Sequence, residues 1–137
     1  MTKYAFDTNV IIDYLRGNEN IKKKIVISLS MGDILTIPSI AYYEVMRGFK
    51  ESEATKRLNN FKMLLKNLQV LYLEENNMQA LNMAARIYER LRKSGKLIED
   101  NDIYIAATAI ANDAVLITDN IKHFSRVQGL SLVNWKE

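Results

Sequence analysis

Short β-branched segments alternate with amphipathic helical segments along the whole chain, and that alternation leaves few folds open. Lys3 to Phe6 reads as a strand, ended by Asp7-Thr8-Asn9. Val10, Ile11, Tyr14 and Leu15 then recur at helical spacing and stop at Gly17. Asn20 to Ser30 is a helix with Ile21, Ile25 and Leu29 at a spacing of four, and Gly32 ends it. Asp33 to Ile37 is a second strand. Pro38 is suited to the first turn of the following helix, where its missing N–H costs nothing. That helix runs through Ile40, Ala41, Glu44 and Val45 to Gly48. Glu53 to Asn67 turns Leu58, Phe61, Leu64 and Leu65 inward, with Leu68 just beyond, and Lys56, Arg57, Lys62 and Lys66 outward. A third strand, Gln69 to Leu73, precedes a long helix from Met78 to Arg92, with Met78, Leu81, Ala85, Tyr88 and Leu91 as its apolar stripe and Gly95 just past its end. Asp102 to Asn112 is apolar nearly all round, so it should be buried. Ala114 to Thr118 is a strand, a short helical turn reaches Phe124, and Leu130 to Trp135 is the last strand. Strands alternating with helices predict a parallel, doubly wound α/β fold: three layers, α/β/α, about a central sheet of about five strands.

The 137 residues suit one domain spanning 1–137, and 48% apolar residues supply one sizeable core. With no cysteine, disulfide scaffolds, thiolate zinc sites and Cys nucleophiles are excluded. No apolar run reaches the roughly 20 residues of a membrane-spanning helix. The opening Met-Thr-Lys-Tyr-Ala-Phe-Asp meets an acid too soon to be the apolar part of a signal peptide. The expected location is the cytoplasm, with no membrane partner. A net charge of +3 is compatible with nucleic-acid binding and too mild to argue for it alone.

Topology points to the chemistry. In an open parallel sheet, ligands bind beyond the carboxyl ends of the strands. Asp7 directly follows the first strand and Asp119 directly follows the Ala114–Thr118 strand. Crossover helices begin on that same edge, which brings in Glu44 and Asp102. Each acid also has a plain structural reading. Asp7 with Thr8 and Asn9 can cap a helix, Glu44 can be a solvated helix residue, Asp102 can complement a helix dipole, and Asp119-Asn120 can form a turn. Glu99 and Asp100 compete with Asp102 for the dipole. Caps rarely fall after both strands of one edge while further acids enter at the same end. Two carboxylates ~4 Å apart repel by roughly 4 kcal/mol at a surface-like dielectric. Such a cluster therefore holds protons or a cation, and all-oxygen ligands select a hard one, Mg²⁺ or Mn²⁺. An ion of that kind activates water and accepts phosphate oxygens, which is the chemistry of phosphodiester hydrolysis.

These motifs resemble the PIN-domain nucleases, and more closely the VapC-type toxins of toxin–antitoxin pairs. The resemblance runs from Asp7-Thr8-Asn9, through Glu44 in Ala41-Tyr42-Tyr43-Glu44-Val45 with Arg47-Gly48 after it, to the segment from Gly95 and Ile98 to Asp102-Ile103-Tyr104-Ile105-Ala106-Ala107-Thr108-Ala109. It closes with Leu116-Ile117-Thr118-Asp119-Asn120, Phe124, Val127, Gly129-Leu130 and Trp135. It implies a Mg²⁺- or Mn²⁺-dependent endoribonuclease. Asp7 and Asp102 would be the principal metal ligands, with Glu44 and Asp119 completing the acidic site directly or through water. Thr8, Asn9 and Thr118 would support them. RNA would be the substrate, a cognate antitoxin protein the partner, and a homodimer the usual assembly.

Other classes fit less well. A haloacid-dehalogenase-type phosphatase would need an acid where Asn9 stands, and a phospho-accepting receiver domain would need paired acids after the first strand. A non-catalytic PIN-like module binding RNA or protein would be expected to have lost some of the acids. His123, the single histidine, has no nucleophile-elbow serine to serve and reads as a surface residue. Tyr42 and Tyr43 can stack on bases or pack in the core. Lys22-Lys23-Lys24, Lys56-Arg57, and Arg90, Arg92, Lys93 and Lys96 read as solvated helix faces unless they lie near the acidic edge, where they can meet phosphates.

Overall fold

The structure is a computed structural model that describes residues 1–52 and 54–137. Five strands form one parallel sheet in the order β3-β2-β1-β4-β5: β1 (Lys3–Phe6), β2 (Ile34–Pro38), β3 (Gln69–Leu71), β4 (Val115–Ile117) and β5 (Leu132–Val133). Seven helices among the described residues connect them: α1 (Thr8–Leu15), α2 (Glu19–Ser30), α3 (Ser39–Ser52), α4 (Thr55–Leu65), α5 (Glu75–Lys93), α6 (Asp100–Ala111) and α7 (Ile121–Phe124). The sheet order puts β1 at the centre, between β2 and β4. Tyr4 aligns with Leu35 on one side and Val115 on the other. A strand flanked by crossovers on both sides is buried on both faces, and Ala5 and Phe6 are completely so.

The core continues from β1 into the helices. Ile11, Ile21, Ile25, Phe61, Ile103, Ile105 and Phe124 close over the sheet, with Trp135 against Tyr4 and Phe6 at ring-centroid distances of 5.0 and 5.7 Å. Helix α6 is buried at Ile103 and from Ile105 to Ala109, as its all-round apolar sequence requires. No helix among the described residues is long and apolar enough to cross a membrane.

Five local expectations are revised. Pro38 is the last residue of β2, aligned with Leu71 of β3, and helix α3 begins one residue later. Its fixed φ suits an extended strand end as well as a first helical turn. Gly48 does not stop α3, which continues to Ser52; a mid-helix glycine costs about 1 kcal/mol against alanine and is tolerated. The expected next helix begins at Thr55, and Glu53, where the sequence placed its start, lies outside the described residues. In α2, Leu29 is 37% exposed and Ser28 takes the inward position, its hydroxyl donating to Asp33 Oδ2 at 2.6 Å.

The fifth revision concerns α5. Its inward stripe is Ala80, Ala84, Ile87 and Leu91, not Met78, Leu81, Ala85 and Tyr88 with Leu91. Asn76, Asn77 and Met78 have left-handed backbone angles, so the regular helix starts after them. Two alanines on the inner face allow close approach to α6, while Tyr88 is 45% exposed. This register has a direct test by urea unfolding. Ile87→Ala is expected to cost about 2–4 kcal/mol, whereas Tyr88→Ala should stay within about 1 kcal/mol. Equal costs would restore the sequence-read stripe.

Candidate active site

Asp7 follows β1 without a break. Its N–H donates to Ile117 O at 3.0 Å, which extends the β1–β4 ladder by one step and fixes the residue at the carboxyl edge. Its side chain caps α1: Oδ1 accepts the Thr8 N–H at 2.8 Å. Oδ2 accepts the hydroxyl of Thr118, the residue after β4, also at 2.8 Å. Capping and site residue are thus the same role here, since the cap aims the carboxylate at the edge. Asp7 is only 4% exposed. Burial, then the negative charges of Asp102 and Glu44, push its pKa up from the usual 3.8 to about 6, against the lowering effect of the Thr118 and Thr8 bonds.

Glu44 and Asp102 approach Asp7 from the two flanking crossovers. Glu44 lies in α3, after β2. Its Oε1 accepts the Thr8 hydroxyl at 2.6 Å and its Oε2 accepts the Asn101 amide at 3.3 Å. Arg47, one turn on, lies 3.8 Å from Oε2 and stacks over the Tyr43 ring at 5.3 Å. Asp102 lies in the first turn of α6. Burial raises its pKa first, followed by the charges of Glu44 and Glu99, while His123 opposes the shift. Within Glu99-Asp100-Asn101-Asp102, the charge that acts on Asp7 is that of Asp102. Asp102 faces the other acids, Asn101 donates to Glu44, and Glu99 is the helix N-cap close to Asp102.

The fourth predicted acid has different company. Asp119 Oδ2 accepts from Lys136 Nζ at 3.0 Å, and the same ammonium lies 2.9 Å from Asp13 Oδ2 of α1. Both carboxylates raise the Lys136 pKa. Asp119 stays tied to the edge through its neighbours, because the Asn120 N–H donates to the Thr118 hydroxyl that also holds Asp7. Asn9 is exposed on the first turn of α1.

Three participants were not anticipated as such. His123, read as a surface residue, is half-exposed, and its Nδ1 stands 3.8 Å from Asp102 Oδ2 with no hydrogen-bond partner. Asp13 and Lys136 had a signal in the sequence. Lys136 follows the last strand, so the rule that placed Asp7 and Asp119 places it on the same edge, and Asp13 is four residues after Asn9 on one helix face. Of the tyrosines, Tyr42 packs on Phe61 at 5.8 Å and Tyr43 is 53% exposed.

The acids Asp7, Glu44 and Asp102 thus form an electrostatically coupled group at one edge. Their oxygens are turned onto Thr118, Thr8, Asn101 and His123, and among the described residues no three His, Cys, Asp or Glu side chains close around a common point. The donor set is all oxygen, with a surplus of negative charge at Asp7 that internal hydrogen bonds leave uncompensated.

The model of the PIN domain matches residues 4–130. Ribonuclease VapC1 of Methanocaldococcus jannaschii is 36% identical over 131 residues, covering 96% of this chain and 85% of that protein. Ribonuclease VapC1 of Haemophilus influenzae strain R2866 is 32% identical over 133 residues, covering 96% and 97%. A solved structure of VapBC-1 from nontypeable Haemophilus influenzae superposes with a TM-score of 0.86 at 31% identity, covering 99% of this chain and 100% of that one.

The Asp7 environment makes a stability prediction. Asp7 binds its proton more tightly in the folded chain than in the unfolded one. Ionising it therefore costs stability, with no cost below about pH 4 and the full cost, at most about 3 kcal/mol, above about pH 6. In EDTA at pH 7.5, Asp7→Asn should be more stable than the parent by about 1–3 kcal/mol, and the gain should vanish at pH 4. A variant no more stable at pH 7.5 would show that Asp7 is not held against its charge.

Proposed function

This chain belongs to the PIN domain family, and we propose that it is an endoribonuclease that hydrolyses RNA phosphodiester bonds as the toxin of a VapBC-type toxin–antitoxin pair. The observation that carries the reading is the coupled acid group Asp7, Glu44 and Asp102 at the carboxyl edge of the sheet, in a chain whose relatives over nearly their whole length are named ribonucleases. The expected partners are RNA and a cognate antitoxin, in keeping with the VapBC-1 structure that this fold matches. A homodimer acting in the cytoplasm is part of the same proposal.

The residues fit a hard divalent cation, Mg²⁺ or Mn²⁺. Every donor is a carboxylate oxygen, and the mutual charge that raises Asp7 and Asp102 is what such an ion relieves. Asp7 and Asp102 would be its principal ligands, with Glu44 beside them. A bound ion of this kind supplies a water of lowered pKa and positive charge for the phosphate oxygens. The rest is the work of the chain. Thr118 and Thr8 hold the two oxygens of Asp7 in fixed directions. Thr8 and Asn101 do the same for Glu44, and His123 faces Asp102. Arg47 and Lys136 bring positive charge to the rim, where a phosphodiester would lie. Asp119 would complete the site directly or through water, its ion pair with Lys136 and the Asn120–Thr118 link keeping it at the same edge. No protein nucleophile is needed.

The test is cleavage of a mixed RNA pool by antitoxin-free protein in Mg²⁺ or Mn²⁺, with EDTA and Asp7→Asn as controls. Cleavage should require the metal and fall by about a hundredfold or more in the variant. An equally active, metal-dependent Asp7→Asn would overturn the assignment. In parallel, Mn²⁺ at about 100 times its Kd should stabilise the parent by about 3 kcal/mol and the variant hardly at all. An unchanged melting temperature in the parent would count against the metal site.

A further inference from the structure

A groove on the far side of α6 carries charge that the acid site does not explain. It has a volume of about 290 Å³ and lies between α5 and the 126–129 segment, its floor made by Ile87, Leu91 and Val127. Three arginines, Arg86, Arg90 and Arg126, stand around it. None is paired with a carboxylate among the described residues. Arg86 makes no hydrogen bond or ion pair among the described residues, Arg90 donates to the Gln128 side-chain oxygen, and Arg126 reaches the carbonyls of Lys96 and Leu97 at 3.5 and 3.4 Å. The one acid on the adjoining surface, Glu89, is committed to Lys93 at 3.0 Å. Three guanidiniums around one groove, none in an ion pair with a carboxylate among the described residues, give it a positive potential that favours an anion.

The groove is also joined to the acid edge. The Arg126 N–H donates to the carbonyl of His123, and His123 faces Asp102. The Lys96 and Leu97 carbonyls that hold the Arg126 guanidinium lie just before Glu99, the N-cap of α6. Arg126 is thus the arginine linked to the acid edge through the backbone, and Arg90 and Arg86 stand one turn apart on α5 across the same groove. Guanidiniums suit this work, because their forked donors match phosphate oxygens and their charge is permanent. The apolar floor and Gln128 add nothing that would select one base over another.

We propose that this groove is a second, non-catalytic binding site, in which Arg126, Arg90 and Arg86 hold backbone phosphates of the RNA strand flanking the bond at the acid site. The proposal rests on the reading that RNA is the ligand, and it extends that reading from a cleavage point to a track several nucleotides long. It makes affinity depend on substrate length, and it makes that dependence electrostatic.

Binding is measured by fluorescence anisotropy in EDTA, so that it reports independently of cleavage. The probes are labelled single-stranded RNAs of about 5 and about 20 nucleotides, and the backgrounds are Asp7→Asn and Asp7→Asn with Arg86→Gln, Arg90→Gln and Arg126→Gln. For the long RNA, the added changes should weaken binding about tenfold or more and flatten the slope of log affinity against log salt by about 2, at ~0.7 per lost single-strand phosphate contact. The short RNA should bind both proteins alike. Arg86→Gln with Arg90→Gln alone, on the exposed face of α5, should flatten the slope by about 1.4 without touching the Arg126 loop contacts. The triple Arg→Lys variant should retain the slope. A slope unchanged in both Gln variants overturns the groove, as does loss of antitoxin binding with RNA binding intact. Metal-dependent cleavage of the short RNA by the parent protein reports separately on the nuclease reading, so the groove can fail while that reading stands.

Discussion

The structure depends on one buried carboxylate. Asp7 ends the central strand, and the ladder bond from its N–H to Ile117 leaves it no freedom to move to the surface. Beneath it lie Ala5 and Phe6, both fully buried, so the medium around the charge is poor in water. One hydroxyl and one amide donor reduce the cost of the charge but do not remove it, and the pKa remains near 6. A fold selected only for stability would place an asparagine or serine cap here. Keeping an acid places destabilisation where charge is to be used, a familiar trade between stability and activity.

Sheet order then decides which other groups can reach that acid. With β1 between β2 and β4, the helices that follow β2 and precede β4 both bring a first or second turn to the same edge. Helix α3 delivers Glu44 and Arg47, and helix α6 delivers Asp102 with Asn101 and Glu99. The burial of α6 at Ile103 and from Ile105 to Ala109 makes this delivery rigid, because a helix so closely packed resists the rotation that would turn Asp102 away. The positive end of the α6 dipole favours the charged form of Asp102. That benefit is smaller than the combined effect of burial, Glu44 and Glu99, since the net shift is upward.

The fold and the acid edge were legible in the sequence because they follow from period and topology. The residues after β1 and β4, and the first turns of α3 and α6, can be assigned to one edge without knowing a single distance. Readings that depended on choosing between two similar patterns were less secure. In α5, Met78-Leu81-Ala85-Tyr88 and Ala80-Ala84-Ile87-Leu91 both have helical spacing, and the larger side chains looked like the core. Packing against α6 instead selects the smaller ones, since alanines allow the two axes to approach. Ser28 displaced Leu29 for a similar reason: the Asp33 carboxylate offered its hydroxyl a partner at 2.6 Å, which periodicity does not register. Partner choices among charges were beyond sequence altogether. Asp119 pairs with Lys136, and His123 faces Asp102, across separations that only the folded chain defines.

These pairings divide the acidic edge into two parts with different needs. Asp119 and Asp13 share the Lys136 ammonium at 3.0 and 2.9 Å, so their charge is already met by a cation belonging to the chain. Among the described residues, no lysine or arginine is paired with Asp7 or Asp102. Their protein partners are one hydroxyl, one backbone amide and a histidine 3.8 Å away, and the Arg47 guanidinium is directed to Glu44. Lys136 thus confines the unmet negative charge to one side of the edge. In the proposed function it gives the ion a single place to bind, and it leaves Lys136 and Arg47 on the rim as fixed charges for the phosphate. The two halves share the Thr118 hydroxyl, which donates to Asp7 while accepting the N–H of Asn120 beside Asp119. A displacement of Asp119 by loss of Lys136 would therefore reach Asp7 through one side chain, with no change in the core beneath.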